Sequence, residues 1–574
     1  MNNTPQNILN IASEWTKAPF DTETQLATEK LIQTGGDALE DAFYKNMEFG
    51  TGGMRGIMGV GTNRINKYTL GASTQGLSDY LLKSFPNKEQ ISVAIGYDCR
   101  HNSDVYSKLV ADVLSANGIQ VYLFESLRPT PELSFAVRHL NCQAGIVLTA
   151  SHNPKEYNGY KVYWEDGAQL VPPHDKGVID LANQTKIEDI KFTGNPELIQ
   201  VIGKEIDQAF IDGVMNQSLT NIGKDDLKIV FTSLHGTSIM GMPQALAQAG
   251  FTDVTIVEEQ ATPDGSFPTV ESPNPEEPAA LKMAIDKANE INADLVIGTD
   301  PDADRIGIAV RNNQGEMQIM NGNQTASMMT WYLLNEWKKQ DKLTGKEFIC
   351  QTIVTTNLMN DIADAYNVDT EITLTGFKWI AEVIRKNEAL RTFVGGGEES
   401  FGYMVGDFVR DKDSISSAMI VAEIAAQAKA SGSSFYAQVL EMYKQFGLYQ
   451  EGLVSIVKGG KSGSEEIANM MSELRANPPK TLAGYDVVQM DDVKSGESTD
   501  LIKNIKTALA LPSSNVLQFY LSNGSKITAR PSGTEPKIKF YFSVKGQLTD
   551  VNEYDQKLAG LLQEIETIKA DLGI

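Results

Sequence analysis

Three aspartates within five residues, Asp300, Asp302 and Asp304 in TDPDADRIG, are the sharpest chemical signal in this 574-residue sequence. They follow an apolar run at 293–298 that reads as a strand, so one loop delivers all three carboxylates at the strand end where α/β proteins place ligands. Unpaired carboxylates at that spacing repel one another, and a hard divalent cation removes the cost. Mg²⁺ takes few carboxylates and leaves positions for water and phosphate oxygens. A calcium EF-hand loop would need Gly at its sixth position and Glu at its twelfth, where Arg305 and Arg311 stand. A solvated acidic turn is the remaining alternative.

Three further loops offer complementary chemistry. The run AGIVLTASHNPKEYNGYKVYW reads as a strand at 144–148 that delivers 149–158 into a polar loop ending at Gly159. Ser151 in that loop is a nucleophile, a phosphate carrier or a plain hydrogen-bonding residue, and the motif alone does not decide. In VGGGEESFGYM, after a short strand expected at 392–394, three glycines let backbone approach a ligand, and Glu398 and Ser400 suit sugar hydroxyls. A flexible turn is the plainer reading. In ARPSGTEPKIKF, Arg530, Ser532, Gly533, Thr534 and Lys537 form either a phosphate cradle of guanidinium, hydroxyls and turn amides, or a solvated hairpin turn. Together the four loops supply a hydroxyl, a metal site, a sugar binder and a phosphate clamp, the set that phosphoryl transfer on a sugar requires.

The elements that must position these loops repeat. A short apolar strand, a polar loop, a helix-period segment and a second strand occur in SVAIGYDCRHNSD to GIQVYLFES, in LKIVFTSLHGTSI to FTDVTIVEEQ, and in EFICQTIVTTNLM to VDTEITLTGF. From about Gly447 the character changes to NVLQFYLSNG, SKITAR and KIKFYFSV, strands joined by Asn-Gly and Pro-Ser-Gly turns and closed by a helix. The expected fold is α/β: three related α/β domains with mixed sheets plus a C-terminal α+β domain, arranged around a central cleft. Expected boundaries are 1–205, 206–325, 326–445 and 446–574, one motif loop to each, with linkers at 216–226, 311–323 and 458–464.

The whole-chain properties narrow the partners. At 574 residues, 41% hydrophobic and 22% charged, the chain is too long for one core and matches a multidomain globular protein. A net charge of −24 repels nucleic acid and anionic membranes, so a small anionic substrate needs a local cationic cluster. The opening stretch lacks the continuous apolar segment of a signal peptide, and no run approaches the roughly 18–20 apolar residues of a membrane span. Cys99, Cys142 and Cys350 have neither disulfide nor metal-ligand spacing, which makes the cytoplasm the expected location.

TASHNP, DPDADR, GEES and RPSGTEP, in that order, resemble the four active-site loops of the α-D-phosphohexomutase superfamily. The resemblance extends to FGTGGMRG near the start, to SLHGT at 233–237 and to TGFKW at 375–379, and so covers nearly the whole chain. It is closest to the branch of bacterial phosphoglucomutases and the phosphoglucomutase-2/phosphopentomutase group. What it implies is a phosphoserine at Ser151 and one Mg²⁺ held by Asp300, Asp302, Asp304 and a Ser151 phosphate oxygen. Arg55 and Lys161 would stand by the transferring phosphate, with His152, Arg305, Lys378, Glu398 and Ser400 toward the substrate and the Arg530–Lys537 loop as the clamp. The implied reaction interconverts glucose 1-phosphate and glucose 6-phosphate, with glucose 1,6-bisphosphate as intermediate and activator; mannose and pentose phosphates are the alternatives. Lys161 would relay a proton if nearby cations lowered its pKa. One departure stands out: no His follows GEES, as one does in some phosphomannomutases. A phosphatase or serine hydrolase using His152 or His235 as base is the rival, but there is no GxSxG elbow and His152 is expected to be poorly placed to serve its own neighbour. A silent binding protein is the second rival, and the intact Ser151 and aspartates argue against it.

Overall fold

Runs such as 144–148, 228–232 and 295–299 have hardly a polar break, and among their positions only Lys228 reaches solvent. Burial on both faces is what an interior strand flanked by helices experiences. The computed structural model describes residues 5–47, 53–458, 460–532 and 536–574, and places these runs inside the first two of four sheets.

The first three sheets share one plan. In the first, strands 92–97, 120–124, 144–148 and 199–202 run parallel, 157–164 returns antiparallel along 144–148, and 53–57 lies antiparallel outside it. In the second, 228–232, 253–256 and 295–299 are parallel, and 306–311 returns along 295–299. In the third, 347–352, 369–373 and 392–397 are parallel, and 403–405 returns along 392–397. Each sheet therefore has one parallel strand that turns directly into an antiparallel neighbour. The three turns, 149–156, 300–305 and 398–402, are the loops that hold Ser151, the aspartates and Glu398 with Ser400. Each also holds one non-glycine residue in the left-handed region: Ser151 (φ 51°), Ala303 (φ 59°) and Phe401 (φ 65°). Backbone bonds pin the second turn to its neighbours: Thr130 N donates to Asp302 O (2.9 Å), Ile306 N to Phe401 O (3.0 Å) and Ser414 N to Ala303 O (3.2 Å).

The fourth sheet is antiparallel throughout, as hairpin turns dictate, and carries the helices Gly460–Ala476 and Tyr554–Leu572. It docks on the third through Ile353, Val354 and Leu374 against Val493, Val516 and Tyr541. Polar ties cross the same seam: Lys526 Nζ donates to Thr355 O (3.1 Å) and Asn357 Oδ1 (2.8 Å), and Tyr449 Oη and Lys545 Nζ both donate to Asp361 Oδ2 (2.6 and 2.7 Å).

Several expectations need correction. Residues 311–323 are not a linker: Arg311 pairs with Met317 in a hairpin, and Asn321 caps the helix Gly322–Lys339. The run 458–464 enters the helix Gly460–Ala476, whose Ile467 and Met471 are buried one turn apart, an apolar period that outweighs the Gly/Ser composition. Gly395, Gly396 and Gly397 are strand rather than loop, and a β-carbon on Gly395 would lie 2.6 Å from Tyr403 Oη, so glycine there serves close strand packing. Three N-terminal helices, unread in the sequence, help to pack Phe20, Phe43 and Tyr68 around Trp15. Among the described residues, no helix is long and apolar enough to cross a membrane.

Candidate active site

The three turns and the fourth sheet wall a cavity of about 570 Å³. Arg55, Ser151, His152 and Lys161 line it from the first sheet, Asp304 and Arg305 from the second, Glu398, Ser400 and Lys412 from the third, and Arg530 and Lys539 from the fourth.

Ser151 is buried, its N–H bonded to Thr149 Oγ1 (2.8 Å), and its hydroxyl donates to Asp300 Oδ2 (2.7 Å) across the junction of two sheets. The left-handed turn at Ser151 also brings His152 Nδ1 to 3.2 Å from Ser151 Oγ. That corrects the expectation drawn from an ordinary backbone, in which adjacent side chains diverge. Burial, with Arg305 and Arg55 nearby, pulls His152 down to about 3, so its ring is neutral at neutral pH. His235 is held at both nitrogens, Nδ1 by Thr262 O (3.1 Å) and Nε2 by Thr269 Oγ1 (2.9 Å), and is no candidate base.

Asp300, Asp302 and Asp304 are all buried, and one oxygen from each lies within 4.8 Å of the others. Asp300 Oδ1 accepts the amides of Asp304 (3.1 Å) and Arg305 (3.0 Å). Asp302 Oδ2 accepts from Thr130 Oγ1 (3.0 Å) and Lys161 Nζ (2.6 Å), while Asp304 Oδ2 accepts from Lys161 (3.1 Å) and lies 3.3 Å from Lys412 Nζ. Among the described residues this leaves Asp302 Oδ1 and Asp304 Oδ1 buried without a hydrogen-bond partner, with Arg305 Nε 3.9 Å from Asp304 Oδ1. Burial and the repulsion of its two neighbours push the Asp300 carboxyl well above the carboxylate range. Burial acts the same way on Asp302 and Asp304, yet Lys161, and for Asp304 also Lys412, hold them below it. Orphaned hard oxygens beside a carboxyl that resists ionising fit a divalent cation of the Mg²⁺ class.

Lys161 does not meet the condition set for a proton relay. Burial alone would lower it, but Asp302 and Asp304 hold it above the ordinary lysine value. Lys412, passed over in the sequence, lies on the cavity with Nζ 3.1 Å from Asp411 Oδ1, and Tyr163 and Gln169 fix Asp411 through its other oxygen. The alternating charges of VRDKD were the available signal.

Glu398 Oε1 accepts the Gly376 amide (3.0 Å), joining TGFKW to the sugar loop. Thr375, Gly376 and Phe377 face the cleft, but Lys378 lines a second cavity of about 340 Å³ beside Trp164, His174 and Arg385, with Asp175 Oδ2 3.9 Å away. Burial lowers its pKa there. Arg305 pairs with Glu276, and Arg55 reaches Asn153 Oδ1 at 3.5 Å. Arg530 is paired in register with Lys539, a second cation missed in the sequence, whose pKa falls through burial and the charges of Lys537 and Arg530. Ser532 N donates to Lys537 O (2.7 Å) at the base of the turn, away from the cavity wall; Gly533 and Thr534 lie outside the described residues.

Family models for phosphoglucomutase/phosphomannomutase α/β/α domains I, II and III match residues 46–188, 208–315 and 321–443. The chain belongs to the phosphoglucomutase/phosphomannomutase family. Each family domain contains one mixed sheet's motif turn. A phosphoglucomutase of Staphylococcus epidermidis is 38% identical over 517 residues, covering 89% of this chain and 93% of the relative. One of Staphylococcus aureus strain MRSA252 is 37% identical over 526 residues, covering 91% and 93%. Two solved structures share the fold, each with a TM-score of 0.65 at 17% identity over 92% of this chain and 97% of its own. They are the Paramecium parafusin phosphoglucomutase in an open form and a phosphoglucomutase/phosphomannomutase family protein of Burkholderia thailandensis.

Proposed function

We propose that this chain interconverts glucose 1-phosphate and glucose 6-phosphate, with Ser151 as the phosphoryl carrier. The observation that carries the reading is the buried Ser151 hydroxyl, 2.7 Å from Asp300 on a cavity walled by all four sheets. Relatives at 37–38% identity that are phosphoglucomutases favour glucose over mannose or pentose phosphates. Phospho-Ser151 gives its phosphoryl group to the free hydroxyl of the sugar phosphate, the glucose 1,6-bisphosphate reorients, and the other phosphoryl group returns to Ser151. The transition state is loose, with charge on the peripheral oxygens, so placed cations do most of the work. Lys161 and Lys412 keep their protons beside buried aspartates, and with Arg55 and Arg305 they supply fixed positive charge. Asp300, Asp302 and Asp304 would hold Mg²⁺, which when bound neutralises charge on the transferring group. Glu398 and Ser400 face the sugar, and Arg530 with Lys539 holds the phosphate that is not reacting.

Intact-mass measurement after incubation with glucose 1,6-bisphosphate tests the reading, alongside coupled assays with glucose 1-phosphate, mannose 1-phosphate and ribose 1-phosphate. One phosphoryl group on the parent chain, none on Ser151→Ala, and fastest turnover of glucose 1-phosphate are expected. Steady release of inorganic phosphate without an isomerised sugar would make the chain a phosphatase.

A further inference from the structure

Arg100 lies beneath the Ser151 turn and takes no part in the steps above. It is buried, 2% exposed, and its guanidinium gathers carbonyls: Nη2 donates to Ser151 O (2.5 Å) and Asn153 O, and Nη1 to Pro154 O (2.8 Å) and Tyr157 O (3.0 Å). The equivalent turn in the second sheet is organised the opposite way, with a carboxylate, Asp300 Oδ1, gathering the amides of Asp304 and Arg305. The contrast has a chemical sense. A turn that must face a cation draws its amides inward, and a turn that must face an anion draws its carbonyls inward.

A trans peptide holds its C=O and N–H antiparallel. With Ser151 O fixed on Arg100, the N–H of His152 points to the other side, away from the guanidinium. Ser151 and His152 both line the cavity, and among the described residues the His152 N–H has no hydrogen-bond partner. The left-handed turn at Ser151 places such an amide where anion-binding backbone concavities form.

We propose that Arg100 is a positioning residue that turns the His152 amide onto the cleft, where it donates to a peripheral oxygen of the phosphoryl group on Ser151. The inference rests on Ser151 being the carrier. The peripheral oxygens flatten toward one plane as the phosphoryl group leaves Ser151, so an amide aimed at that plane rather than at the resting tetrahedron would act mainly on the transfer step.

Two measurements test it. The chain has five histidines, so ¹⁵N-histidine labelling gives at most five amide signals. Phosphorylation by glucose 1,6-bisphosphate, followed in parallel by intact mass, should move the His152 amide proton downfield. If Ser151 takes up no phosphoryl group, both the carrier reading and this inference fall; if it does and the amide stays put, only this inference falls. Arg100→Ala, with unchanged circular dichroism, should slow single-turnover phosphorylation of Ser151 about ten- to a hundredfold, the range one charge-assisted hydrogen bond spans. The affinity of the unphosphorylated variant for glucose 6-phosphate should stay within about twofold of the parent, and added guanidinium should restore part of the rate. Equal losses in binding and transfer, or a parental transfer rate, would overturn the proposal.

Discussion

At the scale of single residues, the site is a balance of buried charge. Three aspartates face two lysines, and among the described residues two carboxylate oxygens are left without a hydrogen bond. Asp302→Asn removes one of those oxygens as an anionic ligand, so EDTA should abolish turnover of the parent and Mg²⁺ restore it, while the variant stays at least about tenfold down, ~1.4 kcal/mol, at saturating Mg²⁺. Full activity of the parent in metal-free buffer would make the cluster structural. This layer was largely legible, because residue types set the chemistry. Asp300, Asp302 and Asp304 cluster as their spacing implied, and Ser151 and Glu398 line the same cleft, which the resemblance of the four loops rather than any spacing implied. What could not be read was which way each side chain turns: Lys378 stands inside TGFKW and Lys412 well after GEES, yet the backbone sends Lys378 to a neighbouring cavity and Lys412 to the aspartates. His152 was misjudged for the same reason, since nothing in TASHNP announces a left-handed serine.

At the scale of elements, the helix Gly322–Lys339 abuts the sugar loop so closely that its first residue must lack a side chain. A β-carbon on Gly322 would lie 2.0 Å from Glu399 O and 2.8 Å from Phe401 N, both backbone atoms of the turn that carries Glu398 and Ser400. Gly322→Ala should therefore cost about 1–3 kcal/mol of stability, as overpacking does, and displace the turn. The expected signature is a lower melting temperature together with a KM for glucose 1-phosphate raised more than kcat falls. An unchanged KM would mean the turn absorbs the strain without moving Glu398. The sequence pointed to a linker at this place because polar and glycine residues dominate 311–323, whereas pairing of Arg311 with Met317 and capping by Asn321 decide the structure there.

For the whole molecule, the seam between the third and fourth sheets carries its own titration. Burial pushes Glu399 and Glu451 up to about 7, and Lys526 down to about 8. Glu398, Arg305 and Glu276 act on Glu399, and Glu451, Glu399 and Asp491 act on Lys526. A carboxyl whose folded pKa exceeds its unfolded value near 4.5 favours folding at low pH, and that contribution fades as pH rises through about 7. A lysine lowered to about 8 works against folding below that pH and ceases to do so as pH rises toward its unfolded value near 10.5. The seam should be weakest at pH 7–8. Glu399→Gln removes a loss of up to about 3 kcal/mol, so its melting temperature should gain on the parent at pH 8 and match it at pH 5; an equal difference at both would refute the assignment. None of this was visible in the sequence, where Glu399 is simply the second acid of GEES. The antiparallel character of the last sheet was legible, because hairpin turns are local signals, but its docking against Ile353 and Val354 depends on contacts far apart in the chain.

The three left-handed residues make the centre of the molecule a loaded spring. A non-glycine residue in that conformation costs roughly 1–2 kcal/mol, so Ser151, Ala303 and Phe401 together store on the order of 3–6 kcal/mol against the bonds that pin the turns. Ala303→Gly would release one share and add only about 0.5–1 kcal/mol of unfolded-chain freedom, in a loop flanked by two aspartates. Its melting temperature should hold or rise while kcat falls, and a variant that kept full kcat would show that the tension is idle. Screening this protein for thermal robustness alone would then select, turn by turn, for a chain that folds better and works less.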